Sequence, residues 1–239
     1  MEKIRWGVLG TAGIARDCSI PGMQKAENCE RYGIAGRSLK KAEDYKDMFG
    51  FEKAYEGYEA LLSDPKVQAV YIPLPNNLHY EWVKKAIAAG KHVLCEKPLA
   101  PTPRQTAELF EAAKEKGVFL MEAYAYLHSP FVTALKKEIE EGTIGEIRYI
   151  ESQFLTSYYD KSNIRLHKEN YGGAVYDLGC YNTSMLLKIW SFLAAVAGKK
   201  VSGKASGGGA HLTPSALTDN RSTPDRFGQA GSDEGSQGI

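Results

Sequence analysis

Two groups of side chains in this sequence carry types and spacings suited to proton transfer. The first is Glu96-Lys97, at the end of a short apolar run over residues 91–95 and directly before Pro98. That run reads as a buried strand, and Pro98 keeps the ladder from continuing. Ligands of open parallel sheets bind outside the carboxyl ends of the strands, so a lysine delivered there faces whatever the sheet binds. An exposed lysine opening a turn is the plainer alternative. The second group is Asp177 and Tyr181, four residues apart and so on one face of a helical segment, with Gly179 between them leaving room for close approach. Here the alternative is a packing tyrosine and a first-turn acid favoured by the helix dipole. A lysine, a carboxylate and a phenol together can do acid–base work. A tyrosine takes up a proton near neutral pH only if its pKa of ~10 is lowered, which a nearby ammonium would do.

The elements that must position these groups follow a βα rhythm. Residues 4–9 form a strand candidate that runs into Gly10-Thr11-Ala12-Gly13-Ile14-Ala15 and then a helix-like segment. Strand, glycine turn and helix make the opening of a dinucleotide-binding unit. The three places that require a tight turn, close backbone approach and close helix packing hold Gly10, Ala12 and Ala15, so the fingerprint alone is weak. An ordinary βα turn remains the alternative. Gly13 keeps the loop permissive, and the helix N-terminus beyond it would offer N–H groups and a positive dipole end to phosphate. The second strand candidate, residues 32–36, ends at Arg37-Ser38, where such folds read the ribose. An acidic residue there suits a 2′-hydroxyl, whereas a guanidinium and a hydroxyl suit a 2′-phosphate. A surface arginine at a strand end is the competing reading.

The rhythm repeats. A helix is predicted over 39–49, a strand over 68–72, a two-proline polar loop over 73–79, and a helix over 80–89. A strand over 91–95, a helix over 104–116 and a strand over 118–122 follow. This is a doubly wound α/β domain with helices on both faces. His79, at the end of the polar loop, reads by itself as a turn or capping residue. From Ala123 the pattern changes to an amphipathic helix over 131–141 and a long alternating stretch of strand character over 146–157, which begin a second domain.

Composition bounds the partners. The chain has 239 residues, 43% of them hydrophobic, enough for a sizeable core. A formal net charge of +1 gives no electrostatic case for nucleic acid or a membrane surface, so small neutral or phosphate-bearing ligands fit better. Cys18, Cys29, Cys95 and Cys180 lie far apart without a C-x-x-C pair, which argues against a metal site or a disulfide framework and for a reducing cytoplasm. The first residues lack a signal peptide's apolar core, and no run approaches the ~18 apolar residues of a membrane span.

Five stretches together resemble the Gfo/Idh/MocA oxidoreductases: GVLGTAGIA over 7–15, AGRS over 35–38, YIPLPNNLH over 71–79, CEKPLA over 95–100 and GGAVYDLGCYN over 172–182. The resemblance is to the branch with glucose-fructose oxidoreductase, dihydrodiol dehydrogenase and NADP-dependent xylose dehydrogenase, and it covers residues 1 to about 190. It implies an N-terminal Rossmann domain over 1–122 and an α/β open-sheet C-terminal domain over 123–190 that supports homo-oligomers in full-length members. It also implies hydride transfer between NADP, less readily NAD, and a CH–OH group of a sugar or cyclic diol. The implied cofactor contacts are Gly10, Thr11, Ala12, Gly13, Ile14, Arg37, Ser38, Pro73, Leu74, Asn76, His79, Glu96 and Lys97. Tyr181 stands where other members carry histidine and is the implied acid/base, with Lys97 close to the nicotinamide. Lys97 could itself be the proton donor. Asp177 would bind substrate hydroxyls or orient Lys97.

After Trp190 the sequence departs from that pattern, and residues 191–239 read as a low-complexity, disordered tail, as a frameshift or truncation would produce. A half-built second sheet would have unpaired edges and would not support the oligomer. Two classes of function therefore stay open: an NADP-dependent oxidoreductase, and a dinucleotide-binding remnant without turnover. A cis Lys97–Pro98 bond is a further expectation, since tight turns at strand ends are where cis proline is found. The Arg37-Ser38 reading makes a direct prediction. The chain should bind NADP(H) in preference to NAD(H), and Arg37→Asp should reverse the order. Equal affinities in the unmodified chain, measured by titration, would refute the phosphate reading.

Overall fold

The structure is a computed structural model and describes residues 2–156 and 160–201. Its centre is a six-stranded, all-parallel sheet. The elements run β1 (Ile4–Leu9), α1 (Ile20–Lys25), β2 (Cys29–Gly36), α2 (Leu39–Phe49), β3 (Lys53–Glu56), α3 (Tyr58–Ser63) and β4 (Ala69–Ile72). They continue with α4 (Asn76–Ala88), β5 (His92–Glu96), α5 (Pro103–Lys116), β6 (Leu120–Ala123), α6 (Pro130–Glu141) and α7 (Cys180–Val201). The strand order is β3-β2-β1-β4-β5-β6. Because β1 pairs with β2 on one side and β4 on the other, the connections leaving β1 and β4 diverge at the carboxyl ends of those strands and open a crevice there.

The pleat sorts the apolar residues into two cores. Leu9, Ala35, Val70, Ile72 and Val93 point to one face, where Leu61 of α3, Val83 and Ile87 of α4 and Leu109 of α5 cover them. Val8, Ile34 and Tyr71 point to the other, against Ala15, Ile20 and Phe51. Strands buried on both faces lose the alternation of a half-exposed strand, so the short central run of β4 is buried at all four positions. The helices start and stop on local chemistry. In α5, Thr102 accepts a hydrogen bond from the Gln105 amide, Pro103 fits the first turn, and Gly117 at φ 67° ends the helix in a left-handed cap.

Several expectations are corrected here. The edge strand β3 and the short α3 carry no run long enough to be read from sequence. The polar loop over 73–79 is half helix, since α4 already begins at Asn76. The alternating stretch over 146–157 forms no strand over its described part, 146–156, because a strand exists only where another strand pairs with it and none of the described residues does so. The chain also does not lose order at Trp190. Helix α7 continues to Val201, with Ile189 and Phe192 buried against Val132 and Ile139 of α6. The disorder expected for the tail lies, from 202 on, outside the described residues. The Lys97–Pro98 bond is cis, as expected. The described residues up to Ala197 form one compact unit.

A polar tie closes the amino-terminal side of the sheet. Asp64 Oδ2 accepts from Tyr55 Oη at 2.7 Å, Lys53 Nζ at 3.0 Å and Tyr32 Oη at 3.2 Å, while Oδ1 takes the Lys66 amide at 2.8 Å. The buried Lys91 ammonium donates to the carbonyls of Asp64 and Val67 at 2.8 and 2.7 Å. Burial alone would push the Asp64 carboxyl up, but the hydrogen bonds from Tyr55, the Lys66 amide, Lys53 and Tyr32 outweigh it and hold the group well below the usual carboxylate range. A depressed folded-state pKa contributes stability that is present above the unfolded value, about 4, and is lost as pH falls below it. Asp64→Asn should therefore lower Tm at neutral pH and flatten the fall of Tm below about pH 4. Parallel acid limbs in the two proteins would show that the tie does not couple to pH.

Candidate functional site

The crevice at the carboxyl ends of the strands is a cleft of about 770 Å³. Gly10 ends β1 at φ 110°, and its amide donates to the Ala35 carbonyl at 2.8 Å. A Cβ at this position would sit 2.9 Å from Leu74 Cδ2, a side-chain end that can shift, so it is the left-handed conformation that requires glycine. The helix that follows makes its first backbone bond from the Arg16 amide to the Ala12 carbonyl at 3.1 Å, with no side-chain cap, which leaves the amides ahead of it facing the cleft mouth. Ala15 is fully buried where this helix meets the sheet, the place for which the sequence pattern demanded a small residue.

Thr11, Ala12, Gly13, Ile14, Arg37, Ser38, Pro73, Leu74, Asn76, Glu96 and Lys97 all line the cleft, together with Asp177 and Tyr181 from the far side. His79 does not. It is fully buried behind the wall, with Nδ1 2.7 Å from the Pro98 carbonyl and Nε2 2.7 Å from the Leu74 carbonyl. Because α4 starts four residues earlier than the sequence suggested, His79 falls on its inward face, between the loop after β4 and the turn after β5. Burial pushes its pKa down, against the pull of the two carbonyls.

At the other end of the cleft, the Lys97 ammonium donates to Asp177 twice, to Oδ1 at 2.9 Å and to the main-chain carbonyl at 2.6 Å. The side chains of Lys97 and Asp177 are only 11% and 14% exposed, so the pair is largely withdrawn from water. Arg165 Nε donates to the same Oδ1 at 3.1 Å. Tyr181 stands one turn beyond Asp177, with the Lys97 ammonium 4.8 Å from its ring centroid. Tyr124, Tyr126 and Phe154 pack around that ring with centroids 5.5, 6.1 and 5.5 Å away. The sequence expectation that Lys97 lowers the Tyr181 pKa is not met. Burial first, then neighbouring Glu96, Cys180 and Asp177, push it up to about 12, with Arg165 opposing. The ammonium is compensated by Asp177 and lies over the ring face, so the phenol keeps its proton at neutral pH.

Sequence reasoning missed several cleft residues. Lys41 adds a second cation to the Arg37 end, and its place four residues after Arg37 at a helix start was a usable signal. Tyr58, Phe154 and Arg165 had none, since the last two lie in an irregular stretch without periodicity. The turn at Lys97 is held from two further sides, by His79 at Pro98 and by Glu122, whose Oε1 accepts the Leu99 amide at 2.8 Å.

A parallel sheet in this order, with a glycine turn and an open helix N-terminus at its switch point, defines a dinucleotide-binding α/β protein. The chain belongs to the Gfo/Idh/MocA oxidoreductase family. The model "Oxidoreductase family, NAD-binding Rossmann fold" matches residues 4–124, and "GFO/IDH/MocA C-terminal domain" matches 132–209, which continues past Trp190. The chain is 42% identical over 180 residues to D-xylose 1-dehydrogenase (NADP(+)) 2 of Haloferax volcanii, covering 75% of this chain and 55% of that protein. It is 41% identical over 180 residues to dTDP-3,4-didehydro-2,6-dideoxy-alpha-D-glucose 3-reductase of Actinomadura kijaniata, covering 75% and 54%. Among solved structures it resembles KijD10, a 3-ketoreductase from the same organism in complex with NADP and TDP-benzene, with a TM-score of 0.72 and 40% identity over 75% of this chain and 55% of that one. The chain spans about half the length of the curated relatives it matches. Among the described residues, no helix is long and apolar enough to cross a membrane.

The placement of His79 generates a prediction about the cleft wall. His79→Phe removes the imidazole that sits between the Leu74 and Pro98 carbonyls and donates to one of them, and should cost about 1–3 kcal/mol in denaturant unfolding through an unsatisfied buried group. A change within about 0.5 kcal/mol would mean that the loops hold each other without the imidazole.

Proposed function

We propose that this chain is an NADP-dependent oxidoreductase that transfers a hydride between the nicotinamide and a CH–OH or carbonyl carbon of a sugar or cyclic diol. The observation that carries the reading is the meeting of Lys97, Asp177 and Tyr181 in one cleft with the Gly10 turn and the Arg37, Ser38 and Lys41 cluster. The residues present fit the dinucleotide. The Gly10 turn and residues 11–14 after it line the cleft, where their backbone would meet a diphosphate, and two cations with a hydroxyl suit a 2′-phosphate at the end of β2. When bound, the nicotinamide supplies or accepts the hydride.

The protein's own part is to move the proton and hold the charge. With its pKa raised to about 12, Tyr181 is suited to giving its proton to a carbonyl oxygen as that oxygen gains negative charge, which is the reductive direction. Asp177 orients the Lys97 ammonium, and Lys97 presents positive charge beside the same oxygen's position. Arg165 holds Asp177 from the solvent side. The names of the relatives denote redox at a sugar carbon, which supports that substrate class here. A remnant that binds cofactor without turnover has no use for this constellation, so the catalytic reading is favoured.

The test is NADP(H)-coupled turnover of this chain against keto sugars, aldoses and cyclic diols. Tyr181→Phe and Lys97→Ala should each reduce turnover by about 10²-fold or more, with NADPH affinity kept in the tyrosine variant. Near-normal turnover in Tyr181→Phe would move the acid role to Lys97. No turnover of any substrate by the unmodified chain would leave only dinucleotide binding.

A further inference from the structure

A hydrogen-bond chain outside the lysine cluster reaches the same cleft from below. Tyr71 lies on β4 with its ring on the sheet face away from α4, and is 1% exposed. Its hydroxyl donates to Glu96 Oε1 at 2.6 Å and accepts the Ser19 hydroxyl proton at 2.7 Å. Burial, then the charge of Glu96, push the Tyr71 phenol far above its ordinary pKa, so the direction of the chain is set: Ser19 donates to Tyr71 and Tyr71 to Glu96. Bonds aligned in this sense polarise one another. The chain joins three parts of the site, namely the helix that follows the Gly10 turn, the switch-point strand β4, and the last residue of β5.

Glu96 is adjacent to Lys97 and lines the cleft, yet the two do not spend their contacts on each other. Lys97 gives its hydrogen bonds to Asp177, and Glu96 takes its bond from Tyr71. A carboxylate held beside an ammonium, each tethered by a different partner, matches adjacent hydroxyls: the carboxylate accepts from one and the ammonium donates to its neighbour. Such hydroxyls occur both on a nucleotide ribose and on a sugar substrate. The place of Glu96 on β5, at the end of the strand that delivers Lys97, favours the ribose.

Resting on the dinucleotide reading above, we infer that Tyr71, backed by Ser19, is a positioning residue that holds the Glu96 carboxylate as an acceptor for a hydroxyl of the cofactor's nicotinamide-side ribose. Without the phenol, Glu96 is free to turn to Lys97 or to water, and the ribose loses an aligned acceptor.

The experiment compares two ligands on the full chain by fluorescence or calorimetric titration: NADPH, and adenosine 2′,5′-bisphosphate, which lacks the nicotinamide half. Tyr71→Phe should weaken NADPH about tenfold, the loss of one charge-assisted hydrogen bond, and leave the bisphosphate within about twofold. In a Glu96→Gln background the Tyr71→Phe change should add less than about twofold, because its effect passes through Glu96. Ser19→Ala, at the partly exposed end of the chain, should give a smaller loss in the same direction and supplies the reading if Tyr71→Phe fails to fold. Equal weakening of both ligands, additive losses with Glu96→Gln, or a raised substrate KM with NADPH affinity unchanged would each overturn the positioning role. Tight bisphosphate binding with these failures would leave the dinucleotide reading standing. Absence of saturable NADPH binding in the unmodified chain would overturn both.

Discussion

The site depends on the ion pair between Lys97 and Asp177, groups separated by 80 residues in sequence and 2.9 Å in space. In a largely dry position such a pair gains little net stability, because desolvation of both ions offsets most of their attraction. Its value is geometric. Removing one partner leaves a charge without compensation, at a cost of about 3–5 kcal/mol, so the two segments are held in register far more firmly than apolar packing alone would hold them. The second bond, from the ammonium to the Asp177 carbonyl, fixes the backbone as well as the side chain. Tyr181 is one helical turn further on, so its ring is placed by the same contact.

The pair can act this way only because each partner is itself anchored. On the sheet side, Lys97 follows directly on β5, and the turn after it is held by His79 at the Pro98 carbonyl and by Glu122 at the Leu99 amide. On the helical side, Asp177 sits in a π-type turn, Val175–Gly179, that leads straight into α7, and Arg165 supports its carboxylate from the outside. α7 in turn is packed on α6 through Ile189, Phe192, Val132 and Ile139. Charge is thereby divided along the cleft. The Arg37 and Lys41 end is cationic, whereas at the Lys97 end two cations face two carboxylates. The first arrangement suits an anionic phosphate, and the second suits uncharged hydroxyl and carbonyl groups that need directed donors and acceptors. The phenol of Tyr181, buried among aromatic rings beside Glu96 and Asp177, keeps its proton at neutral pH.

Much of the fold was legible because burial leaves a period in the sequence. The helix expected over 39–49 is found as Leu39–Phe49, and the strands of the central sheet fall within a few residues of their apolar runs. Where the period failed, a physical reason is at hand. β3 is a four-residue edge strand with no buried position, so it carried no apolar run. Two prolines before α4 read as loop although the second of them stands at its N-cap. The stretch over 146–156 alternates as a strand does, yet strand structure requires a neighbour to complete its hydrogen bonds, and sequence pattern cannot supply one. Beyond Trp190 the polar composition of the tail hid the last turns of a helix whose Phe192 is buried.

The sequence by itself determined which side chains are available for chemistry and at which ends of which elements they stand: Lys97 after a buried strand, Asp177 and Tyr181 on one helical face, Arg37 and Ser38 after the second strand, and the glycine at the tight turn. These are local facts, set by periodicities of two and of 3.6 and by the conformational limits of glycine and proline. Only the tertiary structure decided what each of them meets. It turned His79 inward between two carbonyls, brought Arg165 from an irregular segment onto Asp177, linked Tyr71 to Glu96, and raised the pKa of Tyr181 where a neighbouring lysine had suggested the opposite. The reason is that pairings across tens of residues leave no period in a single chain, and a pKa is the sum of desolvation and every charge nearby, terms that exist only once the chain has closed around the group.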